Sequence, residues 1–325
     1  MPLLQVQTST ETFPVFGTFT ISRGSRTTAT VVVATVNDGR HQGRGECVPY
    51  PRYGETVASV LAAIQSARDV GDRETLQTRL PSGAARNALD CALWDLEAKQ
   101  RGTPAATLAN VSLAATPQLT CFTLSLDSPQ AMATAAKAAF DKPLLKLKLG
   151  GPGDDERMRA VQQARPDARL VADANEAWTP ADLAPLLAVA AETKIELIEQ
   201  PLPAGQDEAL RTTPHLVPIC ADESAHTSAD LARLAGLYDA VNIKLDKAGG
   251  LTEALAMARA AQAQNFRIMV GCMLSTSLAM APALLLSAYA DWLDLDGPLL
   301  LAADRDPHFV YENGRIFPAP AMLWG

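Results

Sequence analysis

From residue 118 onward, short runs rich in aliphatic and β-branched residues alternate with Ala/Leu-rich segments whose apolar positions recur at helical spacing. Alternation of this kind predicts a parallel sheet with crossover helices. The runs begin at Gln118, Leu144, Arg169, Ile195, Val217, Asp239, Phe266 and Trp292, with successive starts 26, 25, 26, 22, 22, 27 and 26 residues apart. Each interval has room for one strand, one helix and two short loops, and eight such units close into a (β/α)-barrel of the TIM type. An open doubly wound sheet would need a Gly-rich dinucleotide turn after its first strand, and none follows QLTCFTLSLD.

Residues 1–117 have another pattern. Two alternating runs, TFTIS and TATVVVATV, precede helical segments, so this part reads as a separate α+β domain. In RNALDCALWDLEAKQRG the apolar Leu89, Ala92, Leu93 and Leu96 fall at i, i+3, i+4 and i+7, and Gly102 supplies a C-terminal stop. The tail after Pro298 holds no ninth unit and is expected to pack back on the first domain. The expected division is a capping domain over 1–117, a catalytic barrel over 118–298 and a C-terminal segment over 299–325.

Composition narrows the function classes. The 325 residues carry 28 basic and 36 acidic side chains, a net charge of −8, which argues against a nucleic acid partner. Apolar runs fall short of the ~20 residues that cross a bilayer, so no membrane association is expected. Five cysteines, with no CxxC pair, suit a reduced cytoplasmic protein rather than a disulfide or zinc framework.

Candidate chemistry follows from strand parity. Catalytic groups of barrel enzymes project from C-terminal strand ends. In LLKLKLG, Lys146 and Lys148 share one face and the leucines the other. The next three strands end in Asp173, Glu199 and Asp222, the sixth carries Lys244, and the eighth offers Asp294 and Asp296 on one face. Any one of these residues alone would be an ordinary loop charge, helix cap or edge lysine. As a set on consecutive strands they form a site. Strands 2 and 6 lie four apart in a ring of eight, so Lys148 and Lys244 approach the axis from opposite sides. Between them three carboxylates suit one hard cation, Mg²⁺ rather than zinc. A cation flanked by two amines fits removal of a proton beside a carboxylate and its return to the other face, through a metal-stabilised enediolate. The base lysine needs a lowered pKa, which Lys146 and the cation would provide as like charges.

The motifs SRGSRTTATVVV, GRGECVPYPRYGE, LLKLKLG, VADANEAW, IEQPLP, ICADES, VNIKLDKAGGLTEALA, GCML and DLDGPL resemble those of the enolase superfamily, and within it the dipeptide epimerases of the L-Ala-D/L-Glu type. The resemblance implies a modified TIM-type (β/α)7β barrel with an N-terminal α+β capping domain whose two loops close over the mouth. It implies Lys148 and Lys244 as catalytic bases and one Mg²⁺ per subunit on Asp173, Glu199 and Asp222. Asp294 and Asp296 match the family's clamp for a substrate ammonium. Arg26 and Tyr53 match the capping loops, with Arg26 expected at the side-chain carboxylate of Glu. Lys146, Cys272 and Met273 complete the expected pocket lining. The implied reaction is epimerisation of the C-terminal residue of a dipeptide, L-Ala-D-Glu to L-Ala-L-Glu, in murein peptide recycling. The oligomeric state, including a homo-oligomer, stays open.

Other readings have their own marks. N-acylamino acid racemisation, o-succinylbenzoate synthesis and cycloisomerisation use the same enediolate, but two carboxylates at the far end would repel their substrates. A Schiff-base lyase would use an inward lysine without the carboxylate trio. A non-catalytic binding protein would not require opposed lysines. Of the residues near the motifs, Lys247 has the parity of Ile243 and Leu245 and is expected to face outward or cap a loop. Arg23 is expected at the surface, Asn175 and Glu223 behind the metal ligands, and the four histidines outside the catalytic set.

Overall fold

Strand parity and glycine spacing determine how the N-terminal part packs. The computed structural model describes residues 4–320 and 322–325. β1 (Gln5–Ile21), β2 (Gly24–Asn37) and β3 (Gln42–Cys47) form an antiparallel sheet in that order. Along β2, Val32, Ala34 and Val36 face a core that contains Ile64, Leu76, Leu89, Leu93 and Leu96. Val33 faces the main barrel core and Val31 packs with Met273, so both faces of β2 are buried. The helix Ala84–Arg101 ends on Gly102, at φ 57, where the sequence places its stop. That helix lies directly on β3. A Cβ at Gly43 would sit 2.1 Å from Ala92 O, and one at Gly45 2.2 Å from Ala88 O.

The eight recurring runs form one parallel sheet: β5 (Phe122–Leu124), β6 (Leu144–Lys148), β7 (Arg169–Asp173), β8 (Ile195–Glu199), β9 (Ile219–Ala221), β10 (Ala240–Ile243), β11 (Arg267–Gly271) and β12 (Trp292–Asp294). The ring closes between β12 and the start of β5, where Cys121 N–H donates to Leu293 O at 2.8 Å and Leu295 N–H to Thr120 Oγ1 at 2.9 Å. Seven crossovers and a final strand make the barrel (β/α)7β. The two 22-residue intervals have a physical cause: their connectors contain only the 3₁₀ turn Glu208–Thr212, and a 3₁₀ turn followed by the short helix Leu231–Leu234.

The run at Gln118 divides in two. β4 (Gln118–Leu119) leaves the barrel to pair with β14 (Arg315–Ile316), itself the partner of β13 (Tyr311–Glu312). The tail therefore contacts both the start of the barrel and the first domain. Besides that small sheet, Arg305 Nε bonds Glu46 Oε2 at 2.8 Å, Trp324 Nε1 bonds Cys91 O at 3.0 Å and Gly325 N–H bonds Asp95 Oδ1 at 2.7 Å.

Parity also organises the barrel interior. Leu145, Leu147 and Leu149 face the helices, while Cys121, Leu144, Val171, Leu197, Cys220, Ala240, Met269 and Trp292 form a separate apolar cluster, one residue from each strand position. Two residues further along each strand, the inward position is Thr123, Lys146, Asp173, Glu199, Asp222, Asn242, Gly271 or Asp294. An apolar floor therefore lies directly beneath a polar layer. No described helix is long and apolar enough to cross a membrane.

The strand-to-helix approach at β3 is testable. Gly45→Ala puts a methyl against backbone that cannot retreat, and overpacking of this kind costs about 1–3 kcal/mol or more. The melting temperature should fall by at least about 3 °C, and an unchanged value would contradict the contact.

Candidate active site

Where the polar layer crosses the barrel axis, three strand ends bring carboxylates together. Asp173 ends β7, Glu199 ends β8 and Asp222 follows β9; one oxygen from each lies within 4.8 Å of the others, and all three residues are buried. Oxygen-only donors of this kind suit a hard divalent cation. Glu199 Oε2 adds a specific sign of fit, being buried and without a hydrogen bond although Lys146 Nζ lies 2.5 Å away.

The amines fill the space around the trio. Lys146 Nζ lies 2.6 Å from Asp294 Oδ2 and 3.3 Å from Asp173 Oδ2. Lys148 Nζ bonds Asp173 Oδ2 at 2.6 Å, and Lys244 Nζ bonds Asp222 Oδ2 at 2.7 Å. The two residues singled out as bases therefore hold different members of the trio. Gly271 makes room for this: a Cβ there would lie 2.6 Å from Asn242 Oδ1 and 3.0 Å from Lys244 Cε.

Charge balance decides the protonation states. Burial raises the Asp173 carboxyl, but the Lys148 and Lys146 ammonium groups outweigh it and hold the carboxyl well below its usual range. Asp222 is held down against burial by Lys244 and Lys247. Burial, with Asp173 beside it, pushes Glu199 up to about 7. Lys244, considered without a cation beside it, is raised rather than lowered. Burial and Lys146 do act downward, but Asp222 and Glu199 dominate and hold the amine charged.

The far wall of the same cavity carries Asp294 and Asp296. Asp294 Oδ1 is buried without a partner. Asp296 accepts the Thr123 N–H at 2.6 Å, and burial with Asp294 nearby pushes it up to about 7. The open side is lined by Arg26, Tyr53, Cys272 and Met273. Arg26 lies over the Tyr50 ring at 5.4 Å, and Tyr53 packs between Tyr50 and His226. All twelve residues singled out from the sequence thus border one cavity or its carboxylate trio.

Lys247 corrects the parity argument. The strand ends at Ile243 and the chain turns helical at Leu245–Ala248, so period two no longer applies. Its amine is buried and donates to Asp222 Oδ1 at 2.6 Å, Asp222 O at 2.5 Å and Asn242 O at 2.9 Å. Arg23 is at the surface as expected, yet its guanidinium turns inward to Glu223 Oε1 at 2.7 Å. Sequence reasoning missed Asn242, whose Nδ2 donates to Glu199 Oε1 at 2.7 Å, although parity with Lys244 on β10 was signal enough. It also missed Gln200, whose Oε1 accepts Asp222 N–H and Ser224 N–H at 2.8 and 3.1 Å; no pattern marks it.

Lys247→Met leaves a buried carboxylate short of a partner and takes one donor from each of two carbonyls, which should cost about 3 kcal/mol or more in chemical denaturation. A loss below about 1 kcal/mol would mean that Lys244 alone suffices to balance Asp222.

Comparison with known proteins agrees with this geometry. Residues 130–320 match the family described as Enolase C-terminal domain-like, and residues 4–109 match the Mandelate racemase / muconate lactonizing enzyme, N-terminal domain. The chain is 47% identical over 312 residues to the L-Ala-D/L-Glu epimerase of Escherichia coli (strain K12), covering 94% of this chain and 97% of that one. It is 44% identical over 302 residues to the N-acetyl-D-glutamate racemase of Pseudoalteromonas sp, covering 91% and 95%. A crystal structure of an enolase family member from Agrobacterium tumefaciens with homology to dipeptide epimerases, with bound sodium and L-Ala-L-Glu, superposes with a TM-score of 0.97 at 53% identity, covering 99% and 100%. The chain therefore belongs to the enolase superfamily, as a member of its dipeptide epimerase family.

Proposed function

We propose that the protein epimerises the C-terminal residue of dipeptides, with L-Ala-D-Glu and L-Ala-L-Glu as the favoured pair, by a two-base exchange of the α-proton. The observation that carries this reading is the arrangement of Lys148 and Lys244, which border one cavity and bond different carboxylates of the same trio. Mg²⁺ held by Asp173, Glu199 and Asp222 would supply positive charge against the charge that builds on the substrate carboxylate as its α-proton leaves, and would draw those oxygens away from the amines.

The chain's own groups account for the rest. One lysine accepts the α-proton on one face while the opposite ammonium donates a proton to the other face, so the configuration inverts and the proton count is unchanged. Lys146, bonded to Asp294 and close to Glu199, stays charged and orients both carboxylates. Asp294 and Asp296 lie where the far end of a dipeptide, its ammonium, would reach, and the unpartnered Asp294 oxygen is free to accept it. Arg26 on the open side would favour a Glu side chain at the epimerised residue. Conversion of L-Ala-D-Glu to the L,L form would place the enzyme in murein peptide recycling.

In D₂O with Mg²⁺, wild-type protein should convert L-Ala-D-Glu to a mixture of epimers labelled at one α-carbon. EDTA should stop the reaction, and Lys148→Ala and Lys244→Ala should each lower net epimerisation by at least about 10². Full activity in either single variant would exclude the two-base exchange.

N-acylamino acid racemisation has one specific support, the 44% identical N-acetyl-D-glutamate racemase. The ammonium decides between the readings. A charge-assisted hydrogen bond to a buried carboxylate contributes roughly 1.5–3 kcal/mol, so acetylating the dipeptide should lower kcat/KM about ten- to a hundredfold. Asp296→Asn should narrow that gap, whereas equal rates for free and acetylated substrates would favour the racemase.

A further inference from the structure

Both capping loops reach one carboxylate that the reaction does not use, although Arg23 also holds Glu223 Oε1 at 2.7 Å. From the loop between β1 and β2, Ser22 Oγ and Arg23 Nη1 donate to Asn175 O, each at 3.0 Å, and Arg23 Nη1 also reaches Glu176 Oε2 at 3.3 Å. From the loop after β3, Arg52 grips Glu176 through both carboxylate oxygens, Nε to Oε2 at 2.8 Å and Nη2 to Oε1 at 2.7 Å. From the barrel, Ala204 N–H donates to Oε1 at 2.8 Å. Three separate parts of the chain therefore meet at Glu176.

An exposed ion pair would mean little here, because such pairs contribute almost nothing on average. Glu176 is different: its side chain is only 9% exposed, it is held in a bidentate fork, and it accepts a third donor. The backbone adds an independent sign. Asn175 and Glu176 are successive residues in the left-handed region, at φ 45 and φ 66. L-residues adopt that conformation in sequence only where the surroundings impose it. Glycine would relieve the strain, but it would carry no carboxylate.

The first loop leads directly into β2, where Arg26 lies, and the second carries Tyr53. Arg26 follows Arg23 by three residues and Tyr53 adjoins Arg52, while Arg23 Nη2 also donates to Tyr50 OH at 3.2 Å, beneath the Arg26 guanidinium. We infer that Glu176 is the shared catch of the two capping loops, a positioning residue that seats them together and so sets Arg26 and Tyr53 over the bound substrate. It touches neither the substrate nor the reacting atoms. The effect on substrate rests on the dipeptide reading; the catch itself does not.

Glu176→Gln preserves side-chain length and backbone strain and removes the charge. Arg23, Arg26 and Arg52 are themselves trypsin sites, so limited trypsinolysis of the substrate-free protein reads both loops at once. Cleavage after all three should accelerate at least about tenfold, since cutting tracks the population of the open form. With L-Ala-D-Glu, KM should rise about tenfold while kcat stays within about threefold, the mark of lost binding rather than lost chemistry. Should Glu176→Gln unfold, cuts would spread through the barrel, and Arg52→Gln and Arg23→Gln then decide: each should expose the other loop. Acceleration confined to one loop, or absent from both, overturns the catch. Loosened loops in a protein that turns over no dipeptide would leave the catch standing and remove the dipeptide reading instead.

Discussion

Six buried carboxylates, Asp173, Glu199, Asp222, Glu223, Asp294 and Asp296, face four buried amines, Lys146, Lys148, Lys244 and Lys247, at one end of the barrel. Charges removed from water are tolerated only when each finds an opposite charge and its hydrogen bonds. Every amine accordingly lies within 2.7 Å of a carboxylate oxygen. The acids still outnumber the amines. Some of the difference is relieved by Arg23 at Glu223 and by upward shifts of Glu199 and Asp296, and the remainder leaves the cavity suited to cationic ligands.

This constraint explains why the site needs the whole fold. Neighbouring carboxylates on adjacent strands repel, and only a closed ring places amines from β6 and β10 across the axis from one another. The capping domain supplies what the barrel lacks, a cover that lowers the local dielectric. That domain is bound to the barrel from several directions: Asp246 accepts the Val48 N–H, Glu46 binds Thr276 and Arg305, and Arg86 reaches the carbonyls of Ala248 and Gly249. Arg305 belongs to the tail, so the last residues of the chain help hold the first domain in place.

Much of this was legible in the sequence because strands count in twos. Parity identified the inward lysines, the three strand-end acids and the last-strand pair, and the intervals between runs gave the barrel. Parity failed where the strand did. Lys247 lies three residues past Lys244, on a helical turn that brings its amine back beneath Asp222, and no count along β10 could foresee that return. Gln200 and Glu176 escaped for a related reason, since both lie beyond strand ends, at φ 35 and φ 66, where no periodicity operates. The division of the Gln118 run was hidden because its partner, β14, lies almost two hundred residues away.

The apolar floor beneath the charges has a consequence for traffic. Trp292 and seven smaller side chains close the barrel from below, each buried, with no polar group among them beyond two thiols and the Trp292 indole N–H, which is taken up by Glu196. Neither water nor a proton has a route through such a layer. Among the described residues the chamber is a dead end, open on the side of the capping loops. Whatever enters must leave by the way it came, so the two epimers of a substrate would queue at the same threshold. A proton held on a lysine would likewise trade places with solvent only while that side stands open.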